Sequence, residues 1–147
     1  MDGLNDDYVY NLGYEEFIKQ GKRNMTKVID YFTYAAIRGN VAALNALGFL
    51  YLEGVFDEDT QSYILQRNVS EALYLFQMAV DEGNMESAIN LGKLYFNGIK
   101  DEQDGGVLLE ANSSNALDHF SMAIQEDFAL GYHVMGEMVH FFESNMS

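Results

Sequence analysis

The sequence predicts an all-α fold, an α-solenoid of antiparallel helix hairpins with about seven helices. The chain contains no proline, and its β-branched residues are too few and too scattered to predict a sheet. Apolar residues recur at helical spacing, as at Ala72, Phe76, Ala79 and Val80. The pattern returns after 44 residues, and a fixed period of this length is typical of a helical repeat protein.

Several positions support this period because they recur together. Each copy has an asparagine before the first helix, then a phenylalanine and an alanine inside it, and a glycine inside the second helix. A turn glycine separates the two helices, and the third copy has Asp127 in its place. The matching residues are Asn24, Asn68 and Asn112; Phe32, Phe76 and Phe120; Ala35, Ala79 and Ala123; Gly39 and Gly83; and Gly48, Gly92 and Gly136.

The N-terminal part of the chain predicts a lead-in and one helix. Residues 1–7 are acidic and contain glycine, so we expect them to fray. Residues 7–21 predict a helix with aromatic residues on one stripe. Its Leu12-Gly13 pair lies two residues out of register with the later copies. We interpret this helix as a partial repeat or a cap.

Three helix hairpins are predicted next, over residues 24–54, 68–98 and 112–142, in one domain that covers 1–147. In each hairpin the turn glycine stops the first helix, because glycine readily adopts the left-handed conformation at a helix C-terminus. The segments 55–67 and 99–111 connect the hairpins as inter-repeat loops.

Both loops are 13 residues long, and long loops in compact domains are often functional. Each has an acidic tip and ends in an apolar triplet, Tyr63-Ile64-Leu65 or Val107-Leu108-Leu109. We expect the triplets to anchor the loops on the helices. The alternative is that they form an exposed docking patch.

The charge of the chain limits its partners. Its formal net charge is −15 with only eight Lys and Arg residues, which excludes binding to a nucleic-acid backbone or an anionic membrane surface. A basic partner suits this charge, although acidic faces often serve only solubility. The chain has no cysteine, so disulfides and thiolate metal sites are excluded. No apolar run is long enough to span a bilayer, and the first residues lack the order of a signal peptide.

No residue pattern predicts catalysis. His119, His133 and His140 are the only histidines, and two imidazoles without carboxylates at ligand spacing make a weak metal site. The sequence contains no nucleophile elbow, phosphate-binding loop or dinucleotide fingerprint. We therefore expect no enzyme activity, no metal and no cofactor.

Asparagine begins each predicted hairpin, and two explanations compete for it. Asn24, Asn68, Asn112 and Asn145 each begin an Asn-x-Ser/Thr sequence, which is an acceptor for N-glycosylation in a secretory lumen. The first three also stand where a helix N-cap is expected, and Glu71 completes a capping box with Asn68. The N-cap explains why asparagine stands at these positions, but it does not require the Ser or Thr that follows two residues later. Glycosylation therefore stays open as the second explanation.

The stretch from Ala72 to Gly98 resembles a Sel1-like repeat (SLR), a relative of the tetratricopeptide repeat. It contains the run Ala-Leu-x-x-Phe-x-x-Ala-x-x-x-Gly-Asn, followed by Leu-Gly-x-Leu-Tyr-x-x-Gly. The stretch from Ala35 to Gly54 resembles the same family. The third copy departs from the pattern at Asp127, Met135, Val139 and Phe142. The proline that usually precedes the next repeat is missing throughout.

The resemblance implies a protein-binding groove lined by the Leu-Gly helices, as in tetratricopeptide-like arrays. The alternative for its two phenylalanines is that they are ordinary helix-packing residues. By position, the groove residues are Asn45, Phe49, Leu52, Lys93, Phe96, Asn97, His133, Glu137 and His140.

The last helix predicts a terminal interface. Val139, Phe141 and Phe142 make it too apolar for the polar outer face that ends a repeat array, and with Val134 and Met138 they cover more of the helix than one neighbouring helix could bury. We expect a cover for this face, either a following repeat in a longer protein or the same helix of a second chain related by a two-fold axis.

The family resemblance implies a non-catalytic scaffold or adaptor that binds protein or peptide partners. The sequons favour an adaptor in the endoplasmic-reticulum lumen for protein quality control, as in endoplasmic-reticulum-associated degradation, and a cytoplasmic protein is the alternative location. Other roles in the family are an activator subunit similar to chitin-synthase activators and a bacterial secreted or envelope protein that interacts with a host.

Overall fold

The computed structural model describes residues 3–126 and 129–146. Seven α-helices and four short strands occur within these ranges, so the predicted all-α class and helix number are confirmed. The chain divides into two compact units, residues 1–82 and 83–147, and their boundary falls at the turn glycine Gly83. The single domain 1–147 stays a prediction.

The first unit contains four helices and one β-hairpin. Each of the four helices is 13 residues long, about 20 Å at 1.5 Å per residue. Helices that are consecutive in sequence pack against one another. The elements are α1 (Asp6–Ile18), α2 (Met25–Ile37), α3 (Val41–Glu53), β1 (Val55–Asp57), β2 (Ser62–Leu65) and α4 (Val69–Asp81).

The second unit contains three helices and a second β-hairpin. Its middle helix packs against both others, and the first and last helices also touch. The elements are α5 (Met85–Asn97), β3 (Ile99–Lys100), β4 (Val107–Leu109), α6 (Ser113–Gln125) and α7 (Ala129–Met146).

A phenylalanine lying on a glycine holds each pair of stacked helices together. A Cβ added to Gly48 in α3 would lie 2.8–3.1 Å from ring atoms of Phe76 in α4, and one added to Gly92 in α5 would lie 2.3–2.9 Å from Phe120 in α6. Real Cβ atoms do not approach other atoms that closely, so only glycine fits. Gly48 and Gly92 are therefore packing residues that set the distance between the stacked helices.

The same contact explains the helix that lies out of register. A Cβ added to Gly13 in α1 would lie 2.8 Å from two ring atoms of Phe32 in α2. Gly13 precedes its phenylalanine by 19 residues, whereas Gly48 and Gly92 precede theirs by 28. The offset on the 44-residue period is therefore nine residues and not the predicted two, because the connection after α1 is shorter, and α1 packs like the second helix of a repeat.

Asparagine caps every helix from α1 to α6. The side chains of Asn24, Asn68 and Asn112 accept hydrogen bonds from backbone N–H groups three residues later, at 3.0–3.1 Å. The predicted N-caps are confirmed. The sequence interpretation missed that Asn5, Asn40 and Asn84 cap the remaining three helices in the same way.

The predicted capping box at Asn68 and Glu71 is wrong. The backbone N–H of Asn68 donates to the carbonyl of Tyr51 at 2.8 Å, so it is not available to the Glu71 carboxylate. The N–H of Asn112 donates to the carbonyl of Tyr95 in the same way, at 2.6 Å. Each bond fixes the start of a first helix to the end of the preceding second helix.

The two inter-repeat loops contain antiparallel β-hairpins, which the sequence interpretation did not predict. The triplets form their second strands, with Tyr63 and Val107 about half exposed and Leu65 and Leu109 partly buried. The anchoring role therefore holds only for the last residue of each triplet. Phe56 and Tyr63 pack edge to face across β1 and β2, with ring centroids 5.0 Å apart.

The predicted frayed lead-in is also wrong for the residues that the structure describes. Asn5 caps α1, and the Asn40 side chain donates to the Asp7 carboxylate at 2.7 Å. The Tyr34 hydroxyl donates to the carbonyl of Leu4 at 3.2 Å. These bonds fix the chain from Leu4 onward.

Candidate functional site

The second unit contains a groove between α5 and α7 with a volume of about 300 Å³. The predicted groove residues Lys93, Phe96, Asn97 and Glu137 all line it. Helix α5 presents the first three on one face, because Lys93, Phe96 and Asn97 are three and four residues apart in the helix. Four of the residues that the family resemblance implied therefore lie together.

The floor of the groove is apolar and fully covered. Phe120 is 1% exposed, and Val134 and Met138 are each 3% exposed, in one core cluster with Ile89. The interface prediction counted Val134 and Met138 among the residues that needed a partner. That part is wrong, because α5 and α6 already bury both side chains.

The wall of the groove is a pair of aromatic rings. Phe96 and Phe141 meet edge to face, with centroids 5.2 Å apart and an interplanar angle of 82°. Phe141 remains 50% exposed. The exposed half of the Phe141 ring offers an apolar surface to a ligand. We name the groove lined by these rings, the floor and Lys93, Asn97 and Glu137 the α5–α7 groove.

The sequence interpretation placed Phe141 only at a terminal interface and missed its place in the groove. The signal was present in the period, since Phe141 follows Asn97 by 44 residues. Val139 lies on the same helix and is 52% exposed. Phe142 lies outside the residues whose side chains the structure describes.

The rim of the groove carries opposite charges. The Lys93 side chain is exposed, and Glu137 Oε1 lies 3.3 Å from His133 Nε2, a contact that is an ion pair only with the imidazole protonated. Both members of that pair are about two-thirds exposed, which limits its energy to a few tenths of a kcal/mol. His133 and His140 do not line the groove, although both are exposed.

The predicted groove residues of the first unit are arranged differently. Phe49 is 42% exposed and packs edge to face on Phe76, with centroids 5.0 Å apart. Asn45 is partly buried. Leu52 is only 8% exposed, so its predicted place in an open groove is wrong. Phe49 thus serves helix packing and still offers part of its ring to solvent.

A larger open cleft in the first unit was not predicted. It has a volume of about 810 Å³, and its lining includes Phe56 from β1. Lys22 forms an ion pair with Asp59 at 2.9 Å there, and this hydrogen bond raises the pKa of Lys22. Half of the eight basic residues of the chain line the cleft, namely Lys19, Lys22, Arg23 and Lys27.

The predicted sequons occupy exposed positions. Asn24, Asn68 and Asn112 are exposed at the starts of α2, α4 and α6. The side chain of Asn145 lies outside the described ones. Glycosylation of these residues stays a prediction.

Metal sites and membrane-spanning helices are both absent from the described part of the chain. No group of three His, Cys, Asp or Glu residues lies in position to hold a metal ion there. Over the same residues, none of the helices combines the length and the apolar character that crossing a membrane requires.

Comparison with solved structures shows the fold. The chain is similar to a protective antigen of uropathogenic Escherichia coli, c5321, which displays an SLR fold, at 22% identity and a TM-score of 0.70 over 90% of this chain and 25% of that one. It is similar to a Sel1 repeat protein of Oxalobacter formigenes at 19% identity and a TM-score of 0.65, over 87% of this chain and 45% of that one. A third neighbour is the immunity protein Pa5087 of Pseudomonas aeruginosa, at 19% identity and a TM-score of 0.53, with 86% and 49% covered.

The chain therefore spans between a quarter and a half of the length of these neighbours. No protein-family model matches the sequence. No curated protein matches it either. The chain has the fold of Sel1-like repeat proteins, as its sequence predicted.

Proposed function

We propose that this chain, which has the fold of Sel1-like repeat proteins, is a non-catalytic interaction module that binds a peptide segment of a partner protein in the α5–α7 groove. The observation that carries the proposal is the half-exposed Phe141 ring, which packs on the partly buried Phe96 above a buried apolar floor. Repeat proteins commonly bind partners through such extended surfaces.

The size of the groove indicates what it binds. Pockets for small ligands and cofactors span about 300 to 1,000 Å³, and this groove lies at the lower end with about 300 Å³. It suits one or two apolar side chains of a peptide. Lys93 and Glu137 at the rim provide one charge of each sign to orient the peptide.

The charge of the second unit favours a basic partner. Residues 83–147 contain ten acidic and two basic residues, a formal charge of −8. A negative surface speeds the encounter with a positive partner, and salt weakens this attraction. The partner segment is therefore expected to combine an apolar anchor with lysine or arginine beside it.

The test selects peptides from a random library on the intact chain and measures their affinity for variants. Phe141→Ser removes one groove wall, and we expect selected peptides to bind it about tenfold more weakly, as for loss of an interface anchor. Val139→Ser is the matched control, since Val139 lies on α7 at similar exposure outside the groove. Peptides that bind both variants as tightly as the parent would exclude the groove as the binding site.

The finer role depends on the compartment. The three exposed sequons support the luminal quality-control adaptor, whereas the bacterial sources of the structural neighbours support a bacterial secreted or envelope protein. An activator subunit of an enzyme remains the third alternative. Endoglycosidase treatment of the natural protein tests the first role, because a shift in mobility requires N-glycans.

A further inference from the structure

The open cleft of the first unit concentrates positive charge in a chain that is otherwise acidic. It lies between the turn that joins α1 to α2 and the hairpin of β1 and β2. Half of the eight basic residues line it, although the chain as a whole has a formal net charge of −15. We name this surface the basic cleft. Its basic residues are all exposed and are Lys19, Lys22, Arg23 and Lys27.

The repeat does not require positive charge at these positions. On the 44-residue period, Lys27 corresponds to Glu71 and Asn115, and Lys22 corresponds to Gln66. The helices α2, α4 and α6 nevertheless begin with the same asparagine cap and have the same length of 13 residues. The lysines of the basic cleft therefore have no evident role in forming the helix that follows them.

Two cations of the basic cleft are available to a ligand. Lys22 is paired with Asp59 at 2.9 Å, at the tip of the hairpin. Neither Arg23 nor Lys27 forms an ion pair with a carboxylate in the described part of the chain. The Arg23 guanidinium donates to the carbonyl of Phe17 at 2.7 Å and lies over the Phe17 ring, which fixes its position. A guanidinium has five N–H donors, so this bond leaves others for a ligand.

The acidic residues of the basic cleft are engaged in local contacts. Glu16 accepts from the backbone N–H of Asn24 at 2.7 Å. Asp57 accepts from the backbone N–H of Asp59 and from the Thr60 hydroxyl, both at 3.0 Å. With four basic and three acidic residues, the lining has a formal charge of +1. Charges elsewhere in the chain are largely screened beyond a Debye length of about 8 Å at 0.15 M salt, so these nearby groups decide what binds.

Apolar side chains lie beside the cations. Phe56 is 43% exposed and Ile64 is 37% exposed, and both line the basic cleft. Its volume of about 810 Å³ lies in the upper part of the range for ligand pockets, about 300 to 1,000 Å³. A ligand that fills it must therefore combine negative charge with an apolar group. The pairing of Asp59 with Lys22 shows that a side-chain carboxylate fits the geometry of this surface.

We infer that the basic cleft binds an acidic peptide segment of a partner protein, with its carboxylates on Arg23 and Lys27 and an apolar side chain against Phe56. A nucleic-acid strand fits less well, because three acidic residues share the lining and the rest of the chain is strongly negative. This site is distinct from the α5–α7 groove, whose expected partner is basic. The inference does not depend on that groove.

Segments of the same chain are poorly placed to cover the basic cleft. The Tyr34 hydroxyl donates to the carbonyl of Leu4, and the Asn40 side chain donates to Asp7, so the described start of the chain lies at the end of α2. Met25 lines the cleft at the beginning of α2, about 14 Å from Tyr34 along the helix. A segment that follows α7 would pack on the last repeat, because each repeat contacts only its neighbours. The occupant is therefore assigned to another protein.

The experiment selects peptides from a random library on the Phe141→Ser variant, in which the α5–α7 groove is impaired. We expect the enriched peptides to contain Asp or Glu beside an apolar residue. The most enriched peptide is labelled with fluorescein, and its affinity for the intact chain is measured by fluorescence anisotropy. Failure to select any peptide, or an enriched set without acidic residues, overturns the inference. Either result leaves the groove proposal standing, since that proposal is tested on the chain with Phe141 in place.

A charge reversal locates the carboxylates. Lys27→Glu should weaken binding of the selected peptide about tenfold. We expect the fold to tolerate it, because Glu71 occupies the equivalent position in α4, and circular dichroism verifies this. Lys100→Glu is the matched control, since it changes the net charge equally from an exposed position in β3 outside the cleft. Equal losses in the two variants would show that only overall charge matters, which overturns the inference.

A second pair of variants tests the apolar contact. Phe56→Ser should weaken binding about tenfold through loss of an apolar anchor. Val107→Ser should bind like the parent, because Val107 is similarly exposed on the other hairpin and lies outside the cleft. Equal binding of these two variants overturns the assignment to a peptide, since a simple anion would then suffice.

Two measurements test other occupants. Sedimentation of the chain alone tests a second copy, and a dimer lost in Lys27→Glu but retained in Lys100→Glu would show that the acidic surface of a second copy fills the cleft. Binding of the selected peptide to the natural full-length protein tests a segment of the same chain. A peptide that binds here but not to the natural protein would show that such a segment covers the cleft. Either result overturns the assignment to a partner protein.

Discussion

Gly92 shows how a single residue sets the distance between two helices. Its missing Cβ leaves room for the ring of Phe120, which is 1% exposed. The ring gains its burial free energy only if the two backbones approach closely, and any side chain at Gly92 prevents this. The identical glycine at Gly136 has no such neighbour.

This contrast gives a matched pair of variants. Gly92→Leu should lower the free energy of unfolding by about 1–3 kcal/mol through overpacking. Gly136→Leu should leave it unchanged or raise it slightly, since leucine favours a helix more than glycine does. Chemical denaturation of both variants measures the difference. Equal stability of the two would show that Phe120 and Gly92 do not set the helix separation.

At the scale of the element, helix starts in this chain depend on asparagine. Six helices begin with an asparagine whose side chain accepts from a backbone N–H. At Asn68 the backbone N–H also donates to Tyr51. The side chain and the backbone of Asn68 thus fix α4 to the end of α3, and the Asn68 carbonyl accepts from Ala72 as the helix begins.

Removal of one cap should therefore cost stability. Asn68→Ala should lower the free energy of unfolding by about 1 kcal/mol. Asn11→Ala is the control, because Asn11 is an exposed residue inside α1, where alanine is the better helix former. Both are measured by thermal denaturation of protein made without glycosylation. A loss of stability in the control equal to that at Asn68 would contradict the capping role.

At the scale of the whole molecule, charge repulsion opposes folding. The net charge is −15, and half of the basic residues lie between residues 19 and 27. Outside residues 19–27, the acidic residues therefore have few basic residues near them in the sequence. Salt screens such repulsion, with a Debye length of about 30 Å at 0.01 M and about 8 Å at 0.15 M.

The melting temperature should accordingly rise by a few degrees between about 0.01 M and about 0.15 M sodium chloride. Neutralising two exposed carboxylates with Glu102→Gln and Glu110→Gln changes the net charge from −15 to −13. This variant should melt higher at low salt and respond less to salt, as differential scanning calorimetry can measure. A melting temperature that falls with salt in the parent chain would show that attractive ion pairs dominate.

The sequence by itself determined the repeat and the residues that build its packing. Phe76 and Gly48 recur together at 44 residues because a ring and its glycine must fit each other in every copy. The repeat follows from local periodicity, which a sequence displays directly. The family resemblance, carried over by position, implied the groove that Lys93, Phe96, Asn97 and Glu137 line.

Tertiary structure alone decided which apolar side chains are covered. Val134 and Met138 are buried, Phe141 is half exposed beside Phe96, and Leu52 is withdrawn from solvent. It also decided the two β-hairpins, and the N–H groups of Asn68 and Asn112 close the two loops on the preceding helices. A sequence period states which positions are equivalent. The burial of a side chain depends on which neighbouring helix packs against it. The period does not specify that neighbour, so it did not predict which side chains of α7 are covered.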